Sequence, residues 1–193
     1  MFNDTSSLVA YLESRRSARP RDLVAPGPDA DQLRRILAIA ARTPDHGKLH
    51  PWRFVHVGAD RREAFAGLLE RAFRADNPDA RPAQVEAARA FAFQAPCLVV
   101  ALSCPVREHK IPVWEQELSC GAACMNLLHA AAALGFGGGW VTGWAAYSPI
   151  VRDAFGGPEE RIAGFLFLGT PGAPLEERSR PAADEVVREW DGR

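Results

Sequence analysis

Lysine is almost missing from this chain. Lys48 and Lys110 are the only two, so nearly all of the positive charge is arginine. The 23 basic and 24 acidic residues leave a net charge of -1. That is not the basic excess a general nucleic-acid or anionic-membrane binder needs. Cysteine is scarce too: Cys97, Cys104, Cys120 and Cys124 are too few for a disulfide framework in 193 residues, and a reducing cytoplasm is the expectation. No apolar run reaches the ~20 residues that cross a bilayer. The opening Met1-Phe2-Asn3-Asp4-Thr5 has neither a basic n-region nor an apolar h-region, so it does not read as a signal peptide. A Gly-Lys-Ser/Thr triplet is absent, which excludes a nucleotide-triphosphatase phosphate loop. So is a Gly-x-Ser-x-Gly elbow, which removes support for that class of hydrolase.

What is present is the composition of an ordinary folded globule, 47% hydrophobic and 24% charged. The length suits a single domain over 1–193. Periodicity predicts a short helix over Thr5–Glu13 with Leu8, Val9 and Leu12 on one face, then a second helix capped by Asp29 or Asp31 and carrying Leu33, Ile36 and Leu37. Trp52–Val57 alternates as a strand, and helices are predicted over Arg61–Phe73 and Pro82–Phe93. Cys97–Leu102 is a continuous apolar run, the pattern of a strand buried on both faces. A long helix is predicted over Trp114–Leu134, apolar almost all round in its second half. Further strands are expected at Trp140–Thr142 and Ile162–Leu168, with a short helix capped by Ser148 and opened by Pro149 between them. Helices around a few buried strands make an α+β sandwich.

Three clusters bear on chemistry. Arg15, Arg16, Ser17 and Arg19 place three guanidiniums and a hydroxyl at a helix end, a set able to grip a phosphate bidentately. The same residues also read as a solvated turn, since Arg34-Arg35 and Arg61-Arg62 look equally basic on helical faces. Gly135-Phe136-Gly137-Gly138-Gly139 follows a helix and precedes a strand, the reverse of a dinucleotide fingerprint, and Trp140 stands where its third glycine belongs. A helix C-cap remains, with backbone open to the close approach of a flat ligand. Cys120 and Cys124 lie one helical turn apart with His129 beyond, but no second pair completes a zinc set. They read as small buried apolar residues, and no metal is expected. Asp45-His46-Gly47 is a turn sequence first and a ligand contact second.

Arg15-Arg16-Ser17-x-Arg19 followed by Arg42-Thr43-Pro44-Asp45-His46-x-x-x-His50-Pro51-Trp52 resembles the FMN-dependent nitroreductase family. Trp114-Glu115-Gln116-Glu117, Gly135-Phe136-Gly137-Gly138 and Leu168-Gly169-Thr170-Pro171 are similar to its short YdjA-like branch, in the same order from Leu8 to Pro171. The resemblance implies a three-layer sandwich with a mixed central sheet flanked by helices. It also implies an intertwined homodimer with FMN at two interface sites. By resemblance, Arg15, Arg16 and Ser17, with Arg19 in the same cluster, hold the phosphate and ribityl chain. Arg42 and His46 reach that flavin from the partner subunit. Trp140, Val141 and Thr142 line the isoalloxazine, and the stretch from Ala130 to Gly135 receives NADH or NADPH. No catalytic side chain is implied, because a flavin carries the redox chemistry itself. The implied activity passes electrons from NAD(P)H to a small oxidised acceptor such as a nitroaromatic or quinone. Dehalogenation, enone reduction, flavin degradation and non-catalytic flavin binding are alternatives on the same fold. His50 stands where the family commonly has glutamine and Thr142 where the branch can carry serine, departures that bear on substrate preference. Arg178 or Arg180 could add a late phosphate contact.

Overall fold

The structure is a computed structural model and describes residues 2–192. Its helices are α1 (Leu8–Ser14), α2 (Ala30–Ala40), α3 (Arg62–Asp76), α4 (Pro82–Ala90), α5 (Val113–Ala133), α6 (Trp144–Tyr147), α7 (Pro149–Phe155) and α8 (Ala183–Val186). The strands are β1 (Leu23–Val24), β2 (Trp52–His56), β3 (Cys97–Ser103), β4 (Gly137–Val141) and β5 (Arg161–Pro171).

β3 is buried at every position, as its unbroken apolar run predicts. Its side chains alternate between two cores. Cys97, Val99 and Ala101, with Leu166 and Leu168 of β5, face α2 and α5. Leu98, Val100 and Leu102, with Phe165 and Phe167 of β5, face Phe65 and Leu69 of α3, Ala145 and Ala146 of α6, and Val151 of α7. One sheet thus lies between two helical layers, the expected three-layer α+β sandwich. Phe165 and Phe167 are fully buried, and burying a side chain of that size contributes about 1.5–3 kcal/mol. Asp29 starts α2 with a full capping box: its carboxylate accepts from Gln32 N, and Gln32 reaches back to the Asp29 N–H.

The expected mixed sheet is instead antiparallel in every pairing among the described residues. The order is β1-β5-β3-β2, with β4 on β5. β3 and β4, joined by α5, do run parallel, but β5 lies between them and pairs antiparallel with each. The crossover skips a strand, so no parallel ladder forms.

Other departures have local causes. β4 begins at Gly137 rather than at Trp140, so the glycine run is itself strand. Ser148 occupies the N-cap position of α7, but its buried hydroxyl has no hydrogen-bond partner among the described residues. Arg62, read from sequence as one of several basic residues on helical faces, is 5% exposed. It donates to the carbonyls of Val57 (3.0 Å), Ala92 (2.6 Å) and Pro96 (3.3 Å). The apolar face of α1 is real but uncovered, with Leu8, Val9 and Leu12 exposed, and Trp114 and Leu118 of α5 are exposed as well. Among the described residues no helix is long and apolar enough to cross a membrane.

Candidate functional site

Ser7 caps α1 by accepting from Ala10 N, and the helix stops where Arg15 turns extended at ψ 125°. The segment from Arg15 to Arg19 then runs along β4, pinned by Ala18 N donating to Gly138 O at 3.0 Å, until Pro20 opens a 3-10 turn. The three glycines of β4 make this approach possible. A Cβ on Gly139 would lie 2.6 Å from Ala18 O, one on Gly138 2.8 Å from a Leu128 methyl, and one on Gly137 2.7 Å from the Pro171 ring. The missing side chains therefore admit the chain's own neighbours. Of the three, Gly139 also lines the cavity faced by the Arg15 to Arg19 segment, so the expected backbone open to a flat ligand is confined to that position.

Between this segment, β4 and the tail lies a cavity of about 780 Å³. Its walls include Arg15, Arg16, Ser17 and Arg19 on one side, Gly139, Trp140 and Val141 on another, and Arg178 and Arg180 with Glu176 and Glu177 from the tail. Trp140 is held in place because its indole N–H donates to Ala163 O at 3.0 Å, with the ring seated over Gly164. The arginines are not equivalent. Arg16, with a side chain 9% exposed, donates to Glu176 O at 2.7 Å and lies 3.6 Å from the Glu177 carboxylate. Arg19 pairs with Glu176 at 2.5 Å. Among the described residues, Arg15 reaches only towards the neutral Ser17 hydroxyl, at 3.4 Å.

Beside the cavity, the Tyr11 hydroxyl meets His129 Nδ1 at 3.1 Å with the two rings edge to face. Burial holds the His129 imidazole below its ordinary value, and the nearby positive charge of Arg15 pushes the same way. Burial raises the Tyr11 phenol, so both groups stay neutral near pH 7.

The remaining expected site residues lie elsewhere. Thr142 is exposed just past the end of β4 and is not part of the cavity wall. Ala130 is 3% exposed and packed into the α5 core, which closes its side chain to a nicotinamide in this chain. Gly135, at φ +87°, is the C′ residue of α5: its N–H donates to Ala132 O and Phe136 N–H to Ala131 O. It lines a second, separate cavity of about 380 Å³ with Phe2, Phe136 and Leu175. Arg42 is exposed just beyond α2, and His46 Nδ1 sits 2.7 Å from Glu115 at the start of α5. His46 and Arg15 are thus at opposite ends of α5, since Glu115 and His129 stand roughly 21 Å apart along the helix at 1.5 Å per residue. Within one chain they do not share a site. Arg178 and Arg180 do join the cluster, a placement that sequence alone left open.

Comparison with known proteins agrees with this geometry. The nitroreductase family model matches residues 12–170. YdjA of Escherichia coli strain K12, whose name describes it as an NAD(P)H nitroreductase, is 42% identical over 164 residues, covering 84% of this chain and 87% of its own. Among solved structures, a nitroreductase-like family protein from Bacillus cereus superposes with a TM-score of 0.80 at 20% identity, covering 97% of both chains. A nitroreductase with bound FMN from Bacteroides fragilis superposes at 0.71 with 23% identity, covering 95% of this chain and 100% of its own.

Proposed function

The chain belongs to the nitroreductase family, and from that premise we propose that it is an FMN-dependent oxidoreductase, a single domain over 1–193 working as a cytoplasmic homodimer. The carrying observation is the cavity where Arg15, Ser17, Arg19 and the tail arginines face Trp140 and Val141. Its volume is in the range of ligand pockets, and its residues fit the cofactor: cationic donors for a phosphate on one side, the β4 edge at Gly139, Trp140 and Val141 for a flat ring on the other. When bound, FMN supplies the redox chemistry, taking hydride from NADH or NADPH and passing electrons to a small oxidised acceptor such as a nitroaromatic or quinone, in ping-pong order. Arg15 and Arg19 would neutralise the phosphate, with Ser17 adding a hydroxyl contact. Arg16 is largely committed to the tail and brings Arg178 and Arg180 to the same cavity.

Arg42 and His46 would serve the flavin of the partner subunit. Their distance from Arg15 along α5 supports that division. The exposed Leu8, Val9 and Leu12 on α1, with Trp114 and Leu118 on α5, offer the apolar surface a second copy would cover. The alanines of α5 let helices approach closely.

The test is purification followed by an absorbance spectrum and flavin quantification. One FMN per chain, with steady NAD(P)H oxidation on adding an acceptor, is the expected result. Rejection of FMN, FAD and riboflavin alike removes the reading. Flavin held without NAD(P)H oxidation leaves a binding protein. An acceptor panel containing halogenated phenols and enones separates the sister chemistries.

A further inference from the structure

The arginine-bearing segment is irregular, and such a segment loses conformational entropy when it closes on a ligand unless something orders it beforehand. One side chain does so here. Asn3, thirteen residues upstream, turns its amide onto the backbone of Arg16 from both sides. Arg16 N–H donates to Asn3 Oδ1 at 2.8 Å, and Asn3 Nδ2 donates to Arg16 O at 3.1 Å. The backbone continues the bridge: Asn3 N–H donates to Ser14 O at 3.0 Å and Asp4 N–H to Ser14 Oγ at 2.9 Å. Asn3 adopts φ +53°, a left-handed conformation that asparagine tolerates better than most residues. The result is a side-chain imitation of a strand pairing, which orients residue 16 and hence its neighbours Arg15 and Ser17.

We propose that Asn3 is a positioning residue for phosphate recognition: its amide clamps the Arg16 backbone so that Arg15 and Ser17 are presented to the cavity before the cofactor arrives. This rests on the reading of that cavity as the FMN phosphate site.

The experiment compares FMN with riboflavin, which shares the ring and ribityl chain but lacks the phosphate. Full-length apoprotein is titrated with each by flavin fluorescence. Asn3→Gly keeps the positive φ and the backbone donor to Ser14 while deleting only the amide. It should weaken FMN about tenfold and riboflavin by less than about twofold, with the thermal midpoint little changed. Asn3→Ser, with a short polar arm, is the second variant should the glycine variant fail to fold, and it should show the same selectivity. Equal weakening of both flavins would mean a general structural role and overturn the proposal, as would no weakening of either. Arg15→Ala in parallel separates the two readings. If it leaves the preference for FMN intact, the phosphate assignment itself falls. If it lowers the preference while Asn3→Gly leaves the preference unchanged, only the role of Asn3 falls.

Discussion

Arg62 and Arg15 carry the same guanidinium in opposite surroundings. Arg62 is buried, and Nε, Nη1 and Nη2 each donate to a backbone carbonyl, closing the β2–α3 connection, the turn after α4 and the entry to β3. Burial pulls its pKa down, yet those carbonyl dipoles hold the charge. Arg15 lines an open cavity and, among the described residues, makes one long side-chain hydrogen bond, to Ser17. A buried guanidinium whose three nitrogens are all engaged offers no open face to an anion, whereas one with spare donors at a cavity wall is available to a ligand. Burial and donor accounting, not local basicity, separate the structural arginine from the functional one.

The largest expected effect breaks the structural side of this comparison. Arg62→Leu strips three backbone carbonyls, two of them in buried contacts, of their partner and should cost about 3–5 kcal/mol, read from urea unfolding, while folded protein binds FMN within about twofold of wild type. Unchanged stability, or a selective loss of flavin, would erase the distinction drawn above. Next comes Arg15→Ala, which should weaken FMN roughly ten- to a hundredfold by removing a charge-assisted contact of about 1.5–3 kcal/mol. Its unfolding free energy should stay within about 0.5 kcal/mol of wild type, as for a surface change.

Arg42→Ala should weaken FMN by a similar factor, from the far end of α5. Mixing the Arg15 and Arg42 variants and allowing subunit exchange sharpens the point. A heterodimer built from both has one site with both defects and one with neither, so flavin binding should return at a minority of sites. No recovery, with exchange confirmed by mass spectrometry, would place both arginines at their own chain's flavin or at none. Light scattering of the wild type should give a particle heavier than the 21.0 kDa chain.

The smallest effect concerns His129. Because burial depresses its folded-state pKa below 6.5, the unfolded chain holds the extra proton in the window just below that value. The stabilisation is complete above about pH 6.5 and is lost as the pH falls through the folded pKa. Thermal midpoints measured from pH 7 down to 5 should fall, and His129→Gln should flatten that slope. His56, depressed by burial in the same direction, should account for part of what remains.

Much of this was legible from local pattern. The double-sided burial of β3, the capped α2 and the apolar α5 each follow from a period or an unbroken run that one element carries by itself. The Arg15–Arg19 cluster was visible as charge beside a helix end. What the pattern could not show was destination. The glycines of β4 read as backbone open to a flat ligand, but Ala18 O, Leu128 and Pro171 occupy the room that side chains there would need, and of the three Gly139 alone also lines the arginine cavity. Arg16 looked equivalent to Arg15 until the tail, some 160 residues later, took it up. Asn3 carried no signal at all, because one asparagine near the start of a chain belongs to no motif.

Hydrophobic periodicity, helix caps and turn residues act over a few neighbouring residues, so the sequence by itself determined which segments become helices and strands and that they bury on both faces of one sheet. Only the tertiary structure decided that β5 separates β3 from β4, that Arg62 is structural while Arg15 faces a cavity, and that His46 pairs with Glu115, about 21 Å along α5 from His129 near Arg15. Those outcomes depend on which hydrogen-bond donors and acceptors meet across long stretches of chain. The energy of such a pairing belongs to both partners at once, and neither local sequence contains it.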